Sequence, residues 1–196
     1  MKRHERAFAL IELIAVLAII GILCLVAMPS FGAIRRKAML RGSVHEVRSV
    51  MRLARSRAIS RSENSAIKFR QIGNEWHYAL FDDGDGDGVR NNDIAKGIDP
   101  RVTPFERVFD SGEVRIGLPS FPVRDPDTKK LIAKGASPVR FNSSTLCSFG
   151  RLGGGTAGSI FLTDGDLGVA MVRVTGASGR VRAIVYDRGT ESWGKL

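Results

Sequence analysis

The sequence predicts an α+β protein: a long N-terminal transmembrane and amphipathic helix packed on an antiparallel β-sheet head. Three observations carry that expectation. An apolar run from Phe8 to Met28 follows a short basic head, MKRHERA, and Glu12 is its one charged residue. Helical periodicity then continues to Arg61. Beyond that point, short runs of β-branched and aromatic residues alternate with Gly, Asn and Asp breaks. At 196 residues the chain has room for one anchor and one modest globular head.

As a helix the Phe8–Met28 run spans roughly 30 Å, enough to cross the hydrocarbon core of a bilayer. A charge inside such a span costs several kcal/mol unless it is paired or kept near a surface, so Glu12 is a functional-site candidate. Lys2, Arg3 and Arg6 hold the N-terminus in the cytoplasm by the positive-inside bias, which sends the rest of the chain to the far side of the inner membrane. Pro29 removes an intrahelical hydrogen bond, and with Gly21 and Gly32 it marks a weak stretch of helix.

The second half of the helix carries an apolar stripe of Ile34, Ala38, Val44, Val47, Met51, Ala54 and Ala58, expected to pack on the head. Between those positions lie Arg35, Arg36, Lys37, Arg41, Arg48, Arg52, Arg55, Arg57 and Arg61, against Glu46 alone. Basic and acidic residues nearly balance from Ser62 on, so the formal charge of +10 resides mainly on the helix. That excess is either a solvated face lining a filament or an electrostatic footprint for an anionic polymer or lipid headgroups.

Ser62-Glu63-Asn64 ends the helix. Strands are expected at Ala66–Phe69 and Trp76–Phe81, joined by a Gly73-Asn74 turn. Further strands follow at Val108-Phe109, Val114–Ile116, Val139–Phe141, Ser159–Leu162, Val169–Val174 and Val181–Tyr186, with a polar surface loop over Asp125–Ser137. Cys24 and Cys147 fall in the span and the head respectively and are read as unbridged thiols.

Ala7-Phe8-Ala9-Leu10-Ile11-Glu12-Leu13 resembles the type III signal of type IV pilins and pseudopilins. Ala7 stands where that family usually has Gly, a departure that keeps a small residue at the scissile position. The resemblance implies cleavage between Ala7 and Phe8 by prepilin peptidase, N-methylation of Phe8, and filament assembly through Glu12, Gly21 and Pro29. The new cationic amine of Phe8 would pair with a Glu12 carboxylate in the filament, offsetting part of the desolvation cost in lipid. The expected organisation is a leader over 1–7, an assembly helix over 8–31, an amphipathic helix over 32–61 and a β-rich head over 62–196, in the lollipop arrangement of type IV pilins.

The helix end Arg55-Ser56-Arg57-Ala58-Ile59, the acidic loop after Trp76, the Phe149-Gly150-Arg151-Leu152-Gly153 stretch and the closing Gly179-Arg180-Val181-Arg182 are similar to the GspH/FimT family of minor pseudopilins. That likeness implies a priming or assembly role among other pilins, with secreted proteins or DNA as the cargo that the head contacts.

Two motifs are chemically suggestive. Asp83-Gly84-Asp85-Gly86-Asp87-Gly88 has the alternating carboxylates of a calcium loop, with Asn91 and Asp93 as further ligands. Its twelfth position is Ile94 where an EF-hand closes on Glu, so an acidic, easily turning hairpin tip is the competing reading. On a strand, Arg180 and Arg182 project from one face, at a spacing that suits neighbouring phosphates, with Gly179 allowing close backbone approach and Arg173 and Arg188 extending the patch. Family members that act in DNA uptake bind DNA through a matching Gly-Arg-x-Arg segment; a structural hairpin is the alternative. His4, His45 and His77 lack ligand-spaced partners. No nucleophile triad, paired carboxylates or phosphate loop stands out, so no enzyme is expected.

Overall fold

The computed structural model describes residues 2–109, 113–133, 135–165 and 168–196, with side chains of the N-terminal helix described at 10–24, 32 and from 34 onward. That helix, α1 (Lys2–Arg61), is continuous through Gly21, Pro29 and Gly32. The chain forms two compact units, Met1–Ala38 and Met39–Leu196. In the first, the described side chains from Leu10 to Cys24 are exposed, Glu12 among them. Among the described residues no helix is long and apolar enough to cross a membrane.

The second unit is α+β with antiparallel pairing throughout. After α1 the chain enters β1 (Ser65–Ile72) and β2 (Glu75–Asp82). Their two-residue turn has Gly73 at φ +62°, a conformation glycine adopts without steric cost. A short helix α2 (Asn91–Lys96) follows. The remaining strands are β3 (Glu106–Arg107), β4 (Arg115–Ile116), β5 (Val139–Phe141), β6 (Leu146–Phe149), β7 (Gly158–Thr163), β8 (Val169–Thr175), β9 (Arg180–Asp187) and β10 (Ser192–Lys195). One sheet has the order β3-β2-β1-β6. The other runs β10-β9-β8-β7-β4, with β5 also on β7.

A single apolar core joins α1 to both sheets. Leu40, Val44, Val47, Met51, Ala54 and Ala58 of α1 are buried together with Ile67, Phe69 and Leu80 of the first sheet. Phe141, Ile160, Val172, Val174 and Val181 of the second sheet complete it. The outer face of the second sheet has its own cluster of Val123, Phe161, Val169, Met171 and Tyr186, with Phe121, Ile132, Ile184 and Trp193 packed against it.

The structure corrects the expected stripe at its beginning. Ile34 and Ala38 are exposed, and within the second unit the buried stripe runs from Leu40, with Met39 partly buried against the core. It also adds α2, β6 and β10, for which the sequence carries no clear signal, and places a strand at Glu106–Arg107 in place of the one expected at Val108-Phe109. Replacing Met51 by Ala is expected to cost about 2–5 kcal/mol in urea unfolding. Ile34→Ala should stay within about 0.5 kcal/mol, as an exposed position does.

Candidate functional site

Alternation along β9 sets the arginine pair. Val181 and Ala183 are buried in the main core, so Arg180 and Arg182 project together from the opposite face and are exposed. A cleft of about 470 Å³ opens beside them, lined by Arg180 and Arg182 of β9, Lys195 of β10 and Arg48, Arg52 and Arg55 of α1. Among the described residues no Asp or Glu side chain lines it. The helical arginines meet there because 48, 52 and 55 are one and two turns apart on one face. Arg48 Nε is buried without a hydrogen-bond partner.

Arg55 is committed to structure. Its Nε donates to the Gly153 carbonyl oxygen at 2.9 Å and its Nη2 to the Ser178 carbonyl oxygen at 3.1 Å. Gly179 lies at φ +57°, and a Cβ there would sit 2.0 Å from the Gly153 carbonyl oxygen and 3.0 Å from Arg55 Nε. The close backbone approach expected of Gly179 is therefore made to the protein's own Gly153. The helix end at Arg55, the Phe149–Gly153 turn and Gly179-Arg180 thus meet at one junction, which sequence spacing alone does not reveal.

Arg173 and Arg188 do not line the cleft. Arg173 Nη2 pairs with Asp127 Oδ2 at 2.8 Å, and the Arg188 guanidinium sits 4.4 Å from the Phe121 ring centre. Cys24 and Cys147 are free thiols; Cys147 is fully buried on β6, and burial pushes its titration up.

The acidic loop keeps only part of its expected ligand set together. Asp83, Asp85 and Asp87 have carboxylate oxygens within 4.8 Å of one another. Asp83 already accepts from Asn64 Nδ2 at 2.5 Å and from the backbone N–H groups of Gly86 and Gly88 at 2.8 and 2.9 Å. Burial raises its pKa, but those donors together hold it below the ordinary value. Asp87 pairs with Arg90. Asn91 and Asp93 are drawn into α2 and stay outside the cluster. Asn91 instead accepts from Lys68 Nζ at 2.6 Å and donates to Ser144 Oγ at 3.0 Å.

The residue that braces this loop, missed in the sequence, is Asp99. It is 1% exposed and accepts from the backbone N–H groups of Gly84 and Arg90 at 3.1 and 2.9 Å. An Asp sixteen residues from the loop's first carboxylate carries no sequence signal of that role.

Glu12 and Gly21 lie on the exposed surface of α1, nine residues and so two and a half turns apart. The backbone at Ala7, Phe8 and Pro29 is helical, while their side chains lie outside the described residues. Residues 2–28 match the family model of the prokaryotic N-terminal methylation motif. This N-terminal segment is type IV pilin-like. No curated protein and no solved structure matches the chain. The prepilin motif concerns the helix alone and implies association with other pilins and with prepilin peptidase in general.

Between helix and head, a bidentate ion pair joins Arg57 to Asp82, with Nε–Oδ1 at 2.9 Å and Nη2–Oδ2 at 2.7 Å. These hydrogen bonds hold the Asp82 carboxyl below its ordinary range against burial, and they raise the Arg57 value. Because the folded carboxyl binds its proton more weakly than the unfolded one, the pair's stabilisation is fully present above the ordinary carboxylate range. It is lost as pH falls through the lowered folded value. Asp82→Asn is expected to cost about 1.5–3 kcal/mol at neutral pH and to flatten the acid limb of a Tm-against-pH curve. Gly179→Ala should destabilise the head by roughly 1–3 kcal/mol through backbone strain and collision with Gly153, read as a lower Tm whatever ligand is present.

Proposed function

We propose that this chain is a minor pilin or pseudopilin, a non-catalytic subunit of a filament assembled from the bacterial inner membrane. The methylation motif over residues 2–28 carries the reading. Prepilin peptidase cuts between Ala7 and Phe8 on the cytoplasmic side and Phe8 is N-methylated. Lys2, Arg3 and Arg6 keep the leader in the cytoplasm and leave the head in the periplasm. In the filament, the Phe8 amine and a Glu12 carboxylate pair in lipid, where leaving either charge alone is far more costly than pairing them. The GspH/FimT likeness of the head supports a priming or assembly place over that of a bulk subunit, in a type II secretion pseudopilus or a type IV pilus.

A second reading concerns the head's cargo. The cleft's six cationic side chains favour DNA as a partner, with Arg48, Arg52, Arg180, Arg182 and Lys195 meeting backbone phosphates. Arg55 holds the two turns behind them.

Coexpression with a prepilin peptidase, followed by intact-mass measurement, tests the filament reading. The mature chain is expected to lack residues 1–7 and to gain one methyl group. Glu12→Gln should still be cleaved yet fail to enter sheared filaments, whereas Ala7→Leu should remain full length. An unprocessed wild-type chain would overturn the proposal.

A further inference from the structure

The strand register of the second sheet places three arginines in one line. Arg140 of β5 pairs with Ser159 of β7, Ser159 with Arg173 of β8, and Arg173 with Arg182 of β9. Directly opposed residues share a face, so Arg140, Ser159, Arg173 and Arg182 form a row across the outer face of the sheet. Their neighbours along each strand confirm the face: Val139, Phe141, Ile160, Val172, Val174, Val181 and Ala183 all turn into the main core. The apolar cluster covers the other end of this outer face, and its loop reaches the middle of the row through Asp125, Asp127 and Ile132, leaving Arg140 and Arg182 exposed at the two ends.

Folding alone gives no reason for such a row. Like charges directly opposite one another in an antiparallel pair are destabilising, and Arg173 faces Arg182. Asp127 answers Arg173 only in part, because Arg173 Nη1 stays buried with no acceptor. Arg140 and Arg182 are exposed and have no side-chain partner among the described residues. A polar groove of about 240 Å³ runs beside the row, lined by Arg140, Ser159, Arg173 and Asn142, with Asp125 on its wall. The row holds three cations against the nearby carboxylates of Asp125 and Asp127, and its Arg182 end is also a wall of the cleft beside α1.

We propose that this row is a second phosphate-contact site, and that a nucleic-acid backbone runs from the cleft around β9 and across the outer face to Arg140. This rests on the DNA reading of the cleft and extends it to residues on β5 and β8. Phosphates between the guanidinium groups relieve the Arg173–Arg182 repulsion, so the bound state recovers what the free head loses to it.

The test uses the full chain in a neutral detergent, with fluorescein-labelled single-stranded and duplex oligonucleotides of equal length, read by anisotropy over a salt series. Heparin serves as a comparison polyanion. Arg140→Ala is expected to weaken binding roughly five- to tenfold and to lower the slope of log K against log salt by about 0.7–0.9, the share of one phosphate. Arg140→Lys should keep that slope. Arg182→Ala should weaken binding while raising the Tm of the free protein by about 1–3 °C. Wild-type binding that Arg140→Ala leaves unchanged in strength and slope would overturn the row and leave the cleft reading standing. A fall in Tm on Arg182→Ala would overturn the strained-row argument. Binding to neither oligonucleotide, or to heparin alone, would overturn both the row and the DNA reading.

Discussion

The head depends on one narrow strip of α1. Leu40, Val44, Val47, Met51, Ala54 and Ala58 form a helical surface buried in the core shared with both sheets, and among the described residues the other helix, α2, is only six residues long with none buried. The strip tapers from branched and long side chains to alanines toward its C-terminal end. Small side chains at that end let the helix backbone approach its neighbours closely. Arg55 and Arg57 flank this close-packed end and tie it to opposite sides of the head. One holds the Gly153 and Ser178 turns, the other Asp82. Burial supplies the driving force, and the two arginines fix the rotation of the helix by hydrogen bonds that fit in one register only.

Most of the framework was legible because it rests on period. The helix end at Arg61, the Gly73-Asn74 hairpin and the long strands β7, β8 and β9 were read from apolar spacing and turn residues. The missing pieces are those whose order comes from elsewhere. β6 (Leu146–Phe149) is a short run made a strand by pairing with β1, and β10 exists because Trp193 packs on Phe161 and Tyr186. α2 is only six residues, too short for a periodic signal, and is closed by Gly97 at φ +77°. Ile34 fits the helical spacing and is still exposed, since spacing says which face of the helix a residue takes but not what covers it.

The candidate sites divide along the same line. Arg180 and Arg182 share a face because strand geometry requires it, and that much could be read. Arg48, Arg52 and Lys195 join them through tertiary packing, which no local pattern encodes. Arg140 enters only through the register of β5 on β7. In the acidic loop the Asp-Gly repeat showed where carboxylates gather, and Asp83, Asp85 and Asp87 do lie together. The brace at Asp99 and the start of α2 at Asn91 come from tertiary contacts that the repeat does not encode.

The order of attachments along α1 also sets how the head would bear a mechanical load. A pull on the helix from its N-terminal side reaches Leu40 first, then Val44, Val47 and Met51 in turn, and the Arg55 and Arg57 clamps last. Apolar contacts loaded one after another yield like a zipper, whereas the two clamps near the far end load together, in shear. With Cys147 an unbridged thiol inside the core, no disulfide shares that force. The mechanical strength of the head would thus concentrate in the last two turns of the helix.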